Sequence, residues 1–250
     1  MIKLRPVHTL HHTEGGWFRA IWHFSFDQYW DPEYSGFGML RVFNDDRLVP
    51  GGIWPMHPHR DIEGITYLAE GTFEHADSLG NGGVLPPGSV QRMTLGSGAW
   101  HSERNHSKTE PMRFIQLWII PAKLGLEPSV EQKSFPLDER RGRLRPVLVP
   151  AAGYAGAGAP VADDAVHVHQ DAAMYAGVLD AQAAVSQRVR EGFGGYLFVV
   201  HGSAAVSAAK EKGGTLEEGG AAMIVEEREI FLRAGDGGAE LLLVEVPAAP

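Results

Sequence analysis

The length, composition and charge of this chain exclude several classes of protein. Its 250 residues suffice for one large domain or two of ordinary size, and a hydrophobic content of 44% is typical of a soluble globular protein. The net charge of −9 disfavours binding to nucleic acid, and the apolar runs are too short to span a membrane. Because the sequence has no cysteine, disulfides and thiolate ligands are excluded.

The first 50 residues predict entry strands of a β-domain. Met1–Gly16 carries basic residues and histidines where a signal peptide has its apolar core, so a cytoplasmic location is expected. An aromatic segment follows between Trp17 and Trp30, which we expect to belong mainly to the core, with a few side chains at the mouth of the domain. Gly36–Asp46 is typical of a strand that ends in a turn at its Asn-Asp-Asp sequence.

Two pairs of polar residues in Gly51–Asn105 carry the functional signal. His57 and His59 are two residues apart, as are His101 and Glu103, so on strands the members of each pair point to the same face. Strands that face each other would bring three imidazoles and one carboxylate to one point. This donor set suits iron, nickel, copper or zinc and leaves coordination positions open, as a reactive metal requires.

The sequence around these pairs predicts a small antiparallel barrel. Strand-like runs at Gly64–Leu68 and Gln116–Ile120 are separated by Gly- and Pro-rich turns at short spacing. A single His-x-His pair is weak evidence in a chain with 12 histidines, and the strand context is what favours a metal site.

The chain changes character after the second pair. Pro121–Pro136 is rich in proline, and Ala151–Ala162 consists almost entirely of Ala, Gly and Pro, so loops are expected in both. Strand-like runs then return from Val166 onward. The sequence predicts two domains, residues 1–134 with the metal site and residues 135–250.

A comparison of the two halves indicates an internal repeat. When the sequence is shifted by 131 residues, Glu70-Gly71 falls on His201-Gly202 and Gly88 falls on Gly219. In this register the four candidate ligands correspond to Arg188, Arg190, Leu232 and Ala234. Neither arginine nor an apolar side chain binds a divalent ion, so the second domain is predicted to lack a metal site.

These motifs resemble the pirin family of the cupin superfamily. The first motif is Gly51-x5-His57-x-His59-x3-Glu63 and the second is Gly98-x2-His101-x3-Asn105, with His-Ser-Glu in the second as in pirins. Asp77–Gly83 and Gln91–Thr94 add to the likeness, while the proline expected before the second motif is missing. The resemblance implies an all-β bicupin made of two antiparallel jelly-roll barrels.

The resemblance also implies a ligand set and a cofactor. In pirins the matching positions bind one metal, which here are His57, His59, His101 and Glu103. Glu63 lies where many other cupins supply their glutamate and stays an alternative to Glu103. One divalent transition metal is expected, with Fe(II) favoured and Ni, Mn, Co, Cu or Zn as alternatives.

Bacterial pirin-like proteins are associated with quercetin 2,3-dioxygenase activity, which opens a flavonol ring with O2 and releases carbon monoxide. The resemblance implies that activity here, with a flavonol and O2 as partners and Glu103 as both metal ligand and general base. The alternative is an iron-binding redox sensor that acts through protein partners, as eukaryotic pirins do. A metal-dependent isomerase is a third possibility.

Other residues are interpreted as structural or are left unassigned. His75, His106 and the pair His167 and His169 lack partners at ligand spacing, so structural or surface roles are favoured. Four aromatic residues close to the motifs are candidates for the apolar walls that a flat substrate would need, although none is assigned: Trp54, Phe73, Trp100 and Phe114.

Overall fold

A computed structural model describes residues 1–248, and almost all of its regular structure is β-strand. The strands of the first half are β1 (Ile2–Arg5), β2 (His11–Glu14), β3 (Phe18–Trp22), β4 (Leu40–Leu48), β5 (Ile53–His59), β6 (Glu63–Glu70), β7 (Phe73–Asp77), β8 (Gly82–Leu85), β9 (Ser89–Thr94), β10 (Ala99–Asn105), β11 (Met112–Ile119) and β12 (Ser129–Ser134). Those of the second half are β13 (Arg145–Pro150), β14 (Val166–Val168), β15 (Ala173–Leu179), β16 (Ala184–Arg188), β17 (Phe193–Ala208), β18 (Gly214–Glu217), β19 (Ala221–Val225) and β20 (Glu229–Pro247). The helices are short: α1 (Leu137–Arg140) and 3-10 turns at Val7–Thr9 and Pro32–Tyr34.

Three sheets build two jelly-roll units. A seven-stranded sheet, ordered β12-β9-β6-β11-β4-β3-β2, faces a four-stranded sheet, ordered β5-β10-β7-β8. The second half forms a nine-stranded sheet that also takes in β1, which pairs with β19. The expected all-β bicupin fold is therefore confirmed. The boundary between residues 134 and 135 stays a prediction. Across residues 1–248 we find no helix with the length and hydrophobicity that crossing a bilayer requires.

The seven-stranded sheet has a hydrophobic core on each of its faces, one shared with the second half and one inside the first barrel. On β6, Ile65 and Tyr67 point toward the second half and pack in a cluster that also contains Tyr196 and Phe198. Leu68, which points the other way, packs with residues of the four-stranded sheet and its neighbours. Because successive residues of a strand face opposite sides, odd-numbered residues of this strand stabilise the contact between halves and even-numbered ones enclose the first barrel.

Matching hydrogen bonds confirm the internal repeat. The amide of Gly88 donates to the carbonyl of Leu68 over 2.8 Å, and that of Gly219 donates to the carbonyl of Val199 over 2.9 Å. Gly71 and Gly202 both have a left-handed backbone, with φ of 81° and 74°, where a side chain would be strained. The shift of 131 residues therefore relates equivalent turns of the two units.

On β20, however, the residues equivalent to His101 and Glu103 differ from those that the shift of 131 residues predicts. In the first unit Glu103 on β10 pairs with His75 on β7. The equivalent of His75 in the second unit is Val206, and Val206 pairs with Leu232. Leu232 thus takes the place of Glu103 and Ile230 that of His101, instead of Ala234 and Leu232. The turn before β20 is shorter than the turn before β10, which a gap-free shift does not detect. The absence of a metal site in the second half stays a prediction.

Two local expectations were wrong. Asn44-Asp45-Asp46 does not form a turn, because β4 continues through it to Leu48. Pro121–Pro136 is not only loop, since β12 lies within it and pairs with β9. The first prediction rested on polar side chains and the second on prolines, whereas cross-strand partners keep the backbone extended in both places.

A buried guanidinium links the two halves. Arg113 on β11 is 1% exposed and donates two hydrogen bonds of 2.8 Å to the carboxylate of Asp45 on β4. It also donates to the carbonyl of Val200 over 2.6 Å and contacts Glu218, both in the second half. The pairing explains why an aspartate is kept at an interior strand position, because a buried carboxylate requires a charged partner.

Replacing Arg113 by alanine should destabilise the protein strongly. We expect the free energy of unfolding to fall by about 3–5 kcal/mol, because Asp45 would be left buried without a countercharge. The matched control is Arg47→Ala, whose side chain is 42% exposed and also contacts Glu70 and Glu218, with an expected loss of about 0–1 kcal/mol. Urea denaturation measures both, and equal losses would contradict the role assigned to Arg113.

Candidate metal centre

Three histidines come together on two neighbouring strands of the four-stranded sheet. His57 and His59 lie on β5, and His101 lies on β10, directly opposite His57 in the antiparallel pairing. The ring centroids of His57 and His101 are 4.5 Å apart, and His59 lies 4.8 Å from His57 and 5.3 Å from His101. Each ring offers a nitrogen within 4.8 Å of nitrogens on the other two, which is close enough for one ion to contact all three.

The state of these rings suits metal binding. Nδ1 of His57 is 2.7 Å from the carbonyl of Pro55, which requires Nδ1–H as the donor and leaves Nε2 free for a metal. Both ring nitrogens of His101 are buried without a hydrogen-bond partner among residues 1–248. Burial lowers the pKa of His59 to about 4 and that of His101 to about 2, so both are neutral at pH 7, the form that binds metal.

Glu103 lies beyond a β-bulge on the same strand. The bulge between His101 and Glu103 places Glu103 opposite Trp54, in the cavity that His57 and His59 also line. Nε2 of Gln116 donates to Oε1 of Glu103 over 3.1 Å, and the hydroxyl of Thr66 donates to Gln116 over 2.8 Å. Burial raises the pKa of Glu103 to about 7, although the hydrogen bond from Gln116 opposes the shift.

These groups fit a divalent transition metal. Three clustered imidazoles and a carboxylate that lines the same cavity as two of them are a donor set that the first-row transition metals accept. Buried polar atoms normally have hydrogen-bond partners, and both ring nitrogens of His101 lack one among residues 1–248. A bound metal would supply such a partner. The structure thus brings together the three predicted histidines, whereas Glu103 lines the same cavity as His57 and His59 but does not belong to the cluster of ligand atoms within 4.8 Å of one another.

Glu63, the alternative carboxylate, lies on the opposite face of the seven-stranded sheet. Its Oε2 accepts from the hydroxyl of Thr94 over 3.2 Å, and its Oε1 is 3.4 Å from Nδ1 of His169. Thr66, which supports Gln116 at the candidate centre, points to the other side of the same strand. The parity of Glu63 on β6 therefore directs it toward the second half and away from the three histidines.

A cavity of about 1320 Å³ opens beside the candidate centre. Eight aromatic residues line it, six of them from the segment between Trp17 and Trp30 that the sequence predicted to be mainly core: Trp17, Phe18, Trp22, Phe26, Tyr29, Trp30, Trp54 and Trp118. Trp118 contacts His59 with ring centroids 4.6 Å apart, so the aromatic surface reaches the histidines. A flat apolar molecule could lie against these walls with one end at the metal centre.

Only one of the four wall candidates from the sequence lines this cavity. Trp54 does so, whereas Phe73 and Phe114 are fully buried in the core and Trp100 is half exposed elsewhere. The sequence also missed Asn44 and Asp46, which line the cavity from β4. A reading of Asn44–Asp46 as strand, with the first and third residues on one face, would have found them.

Asp46 is an acidic group in an unusual environment. Asp46 is only 5% exposed, yet it lines the cavity. Burial, together with the charges of Glu103 and Asp45, holds the pKa of Asp46 well above its ordinary value. Such groups cluster at functional sites.

Four other histidines, for which the sequence favours structural or surface roles, each contact a neighbouring side chain. His167 pairs with Glu131, His169 pairs with Glu63, and His106 is an exposed residue that pairs with Glu74. His75 is buried next to Met93, with its Nε2 3.1 Å from the sulfur atom.

Fold and site together define a bicupin with a histidine cluster suited to metal in its first unit. Family models agree with this description, since residues 4–119 match the Pirin model and residues 158–246 match the model described as the quercetinase C-terminal cupin domain. The chain therefore belongs to the pirin family.

Individual relatives support this membership over the whole chain. A protein of Escherichia coli K12 named quercetin 2,3-dioxygenase is 37% identical over 99% of each chain, and a pirin-like protein of Caulobacter vibrioides is 35% identical over 98% of this chain and 99% of its own. The crystal structure of the bacterial pirin YhhW of Escherichia coli in complex with nickel(II) superposes with a TM-score of 0.87 at 34% identity, covering 100% of both chains.

The two candidate carboxylates can be separated by substitution with glutamine. We expect Glu103→Gln to weaken nickel(II) binding by more than the roughly 10- to 100-fold loss that outer-shell changes cause, because a charged ligand is removed. Glu63→Gln should leave binding unchanged, since its partners are Thr94 and His169. Calorimetric titration of metal-free protein measures the affinities, and thermal melting checks folding.

The histidines have their own control in that experiment. His59→Ala should abolish stoichiometric nickel binding, whereas His106→Ala should retain it because that side chain is 55% exposed and contacts only Glu74. Loss of nickel in Glu63→Gln but not in Glu103→Gln would show that the ligand set is wrong.

Proposed function

We propose that this protein is a metal-dependent dioxygenase of the pirin type that cleaves a flavonol such as quercetin with O2. The observation that carries the proposal is the aromatic cavity that ends at the histidine cluster and Glu103. The names of the relatives support it, since several are called quercetin 2,3-dioxygenase. His57, His59, His101 and Glu103 would hold one metal, for which Fe(II) is our favoured ion.

Such a metal, when bound, supplies the redox chemistry that a reaction of dioxygen with a closed-shell organic molecule requires. The protein supplies binding and orientation. Trp54 packs against Trp17 and Phe18, with centroids 4.6 and 4.7 Å away, and these rings form one side of the cavity. Trp118 and Phe26 pack edge to face on another side of the cavity, with ring centroids 5.3 Å apart. The rings would exclude water from a flat substrate and limit its orientation.

Glu103 would accept a proton from that substrate. A flavonol must lose its enol proton to react as an anion, and a carboxylate that lines the same cavity can accept it. Gln116 holds Oε1 through its amide, which fixes the orientation of the carboxylate and leaves Oε2 for the proton or the metal. Glu103 would therefore act as ligand and general base.

The activity can be tested by oxygen uptake. Protein loaded with iron(II) should consume one O2 and release one carbon monoxide for each quercetin, and Glu103→Gln should lose this activity by at least about 100-fold because base and ligand are both removed. An oxygen electrode and carbon monoxide detection measure the reaction. If metal-loaded wild type takes up no oxygen with any flavonol, the proposed activity is wrong, and partner binding that changes with iron oxidation state would indicate a regulator instead.

Two tryptophans provide a matched test of the cavity. Trp54→Leu should raise KM for quercetin roughly tenfold, since a stacked aromatic wall is lost. Trp100→Leu, at a half-exposed residue outside the cavity, should leave KM unchanged. Steady-state kinetics measures KM for both variants. Equal KM values for Trp54→Leu and Trp100→Leu would argue against substrate binding at the aromatic walls of the cavity.

A further inference from the structure

Two polar residues interrupt the aromatic wall of the cavity. Asn44 and Asp46 are two residues apart on β4, so they point to the same face, and both line the cavity. Their neighbours on β3 and β11 include Trp22 opposite Asn44 and Phe114 opposite Asp46. Gln116 on β11 also lies opposite Asn44, so these polar residues form one polar area beside the aromatic rings of the cavity.

The fold does not satisfy the hydrogen-bonding groups of this pair. The side-chain carbonyl oxygen of Asn44 is buried and has no partner in the part of the chain that the structure describes. Asp46 forms no side-chain hydrogen bond or ion pair with any residue between 1 and 248, and its carboxylate is open to the cavity rather than fully buried. Its neighbour Asp45, which faces the second half, is by contrast fully engaged by Arg113.

Gln116, Ser25 and Arg41, which line the same cavity, already form hydrogen bonds within the protein. Gln116 sits between Thr66 and Glu103 and uses both ends of its amide in hydrogen bonds. Because an unpartnered buried polar atom opposes folding, a cavity for a wholly apolar ligand would be more stable with an apolar residue at position 44. The two positions are thus suited to a ligand that brings its own polar atoms.

We propose that Asn44 and Asp46 are a hydroxyl-recognition subsite that selects a flat aromatic ligand with several hydroxyl groups. This inference rests on the proposed function, and it narrows the substrate to polyhydroxylated flavonols. A hydroxyl group suits both residues, since it can donate to the amide oxygen of Asn44 and to the carboxylate of Asp46. A carboxylate group would meet repulsion from Asp46.

The test compares the binding of two flavonols that differ only in hydroxyl groups. Quercetin carries four hydroxyls besides the one on its central ring, and 3-hydroxyflavone carries none of the four. Affinities are measured without oxygen on nickel-loaded protein, by quenching of tryptophan fluorescence, so turnover is not required. Wild type should bind quercetin roughly 10- to 100-fold more tightly than 3-hydroxyflavone, since one or two buried hydrogen bonds are added.

Variants of the pair should remove this preference without removing binding. Asp46→Leu and Asn44→Leu should each reduce the ratio of the two affinities roughly tenfold or to unity, and leave the affinity for 3-hydroxyflavone within about twofold, because only hydroxyl contacts are lost. Asp46→Asn keeps an acceptor and should retain part of the preference. Gln187→Leu, at a partly exposed residue of β16 outside the cavity, is the matched control and should not change the ratio.

The outcomes separate this inference from the proposed function. Equal binding of both flavonols by wild type, or an unchanged ratio in folded, metal-loaded Asp46→Leu and Asn44→Leu, would overturn the subsite. A ratio that falls in these variants supports it even if no oxygen uptake is found, and in that case only the proposed dioxygenase activity fails. If Asp46→Leu does not fold, Asn44→Leu and Asp46→Asn carry the test.

Discussion

The candidate centre depends on one antiparallel pairing, that of β5 with β10. This pairing sets His101 directly opposite His57, and the bulge that follows turns Glu103 into the cavity. A register shifted by one residue would place the imidazoles on the outer face of the sheet, because side chains alternate. The hydrogen bond from Nδ1 of His57 to Pro55 then selects the nitrogen that faces the other rings. Backbone geometry thus prepares the donor set before any ion is bound.

The seven-stranded sheet gives each of its central strands two tasks. On β4, Asp45 faces the second half and binds Arg113, while Asn44 and Asp46 face the cavity. On β6, Glu63 faces the second half and Thr66 supports the site through Gln116. Because one sheet carries both sets of contacts, the second unit helps to fix the strands that line the site in the first. This is a physical reason for a two-unit chain in which one unit carries the histidine cluster.

The two units have kept their turns and changed their interiors. Gly71 and Gly202 retain the same left-handed turn, and the hydrogen bonds of Gly88 and Gly219 match. At the positions of His101 and Glu103 the second unit has Ile230 and Leu232, both buried among apolar neighbours. Packing of an apolar interior replaces the polar cavity there. Turn geometry tolerates few residue types, whereas a strand position accepts any side chain that fits its surroundings.

The sequence by itself determined the fold class, the repeat and the candidate ligands, because residue spacing on strands and glycine-dependent turns are local properties. His57, His59 and His101 could be named from spacing and motif alone. Only the tertiary structure decided that Glu63 faces away from the site, that Phe73 and Phe114 are core residues while Trp22 and Trp118 line the cavity, and that Asn44 and Asp46 belong to that cavity. These facts depend on which strands are neighbours and on which face each residue lies. Pairing across distant segments is set by the whole sheet, so a strand through Asn44-Asp45-Asp46 would place Asn44 and Asp46 on one face without showing which cavity that face lines.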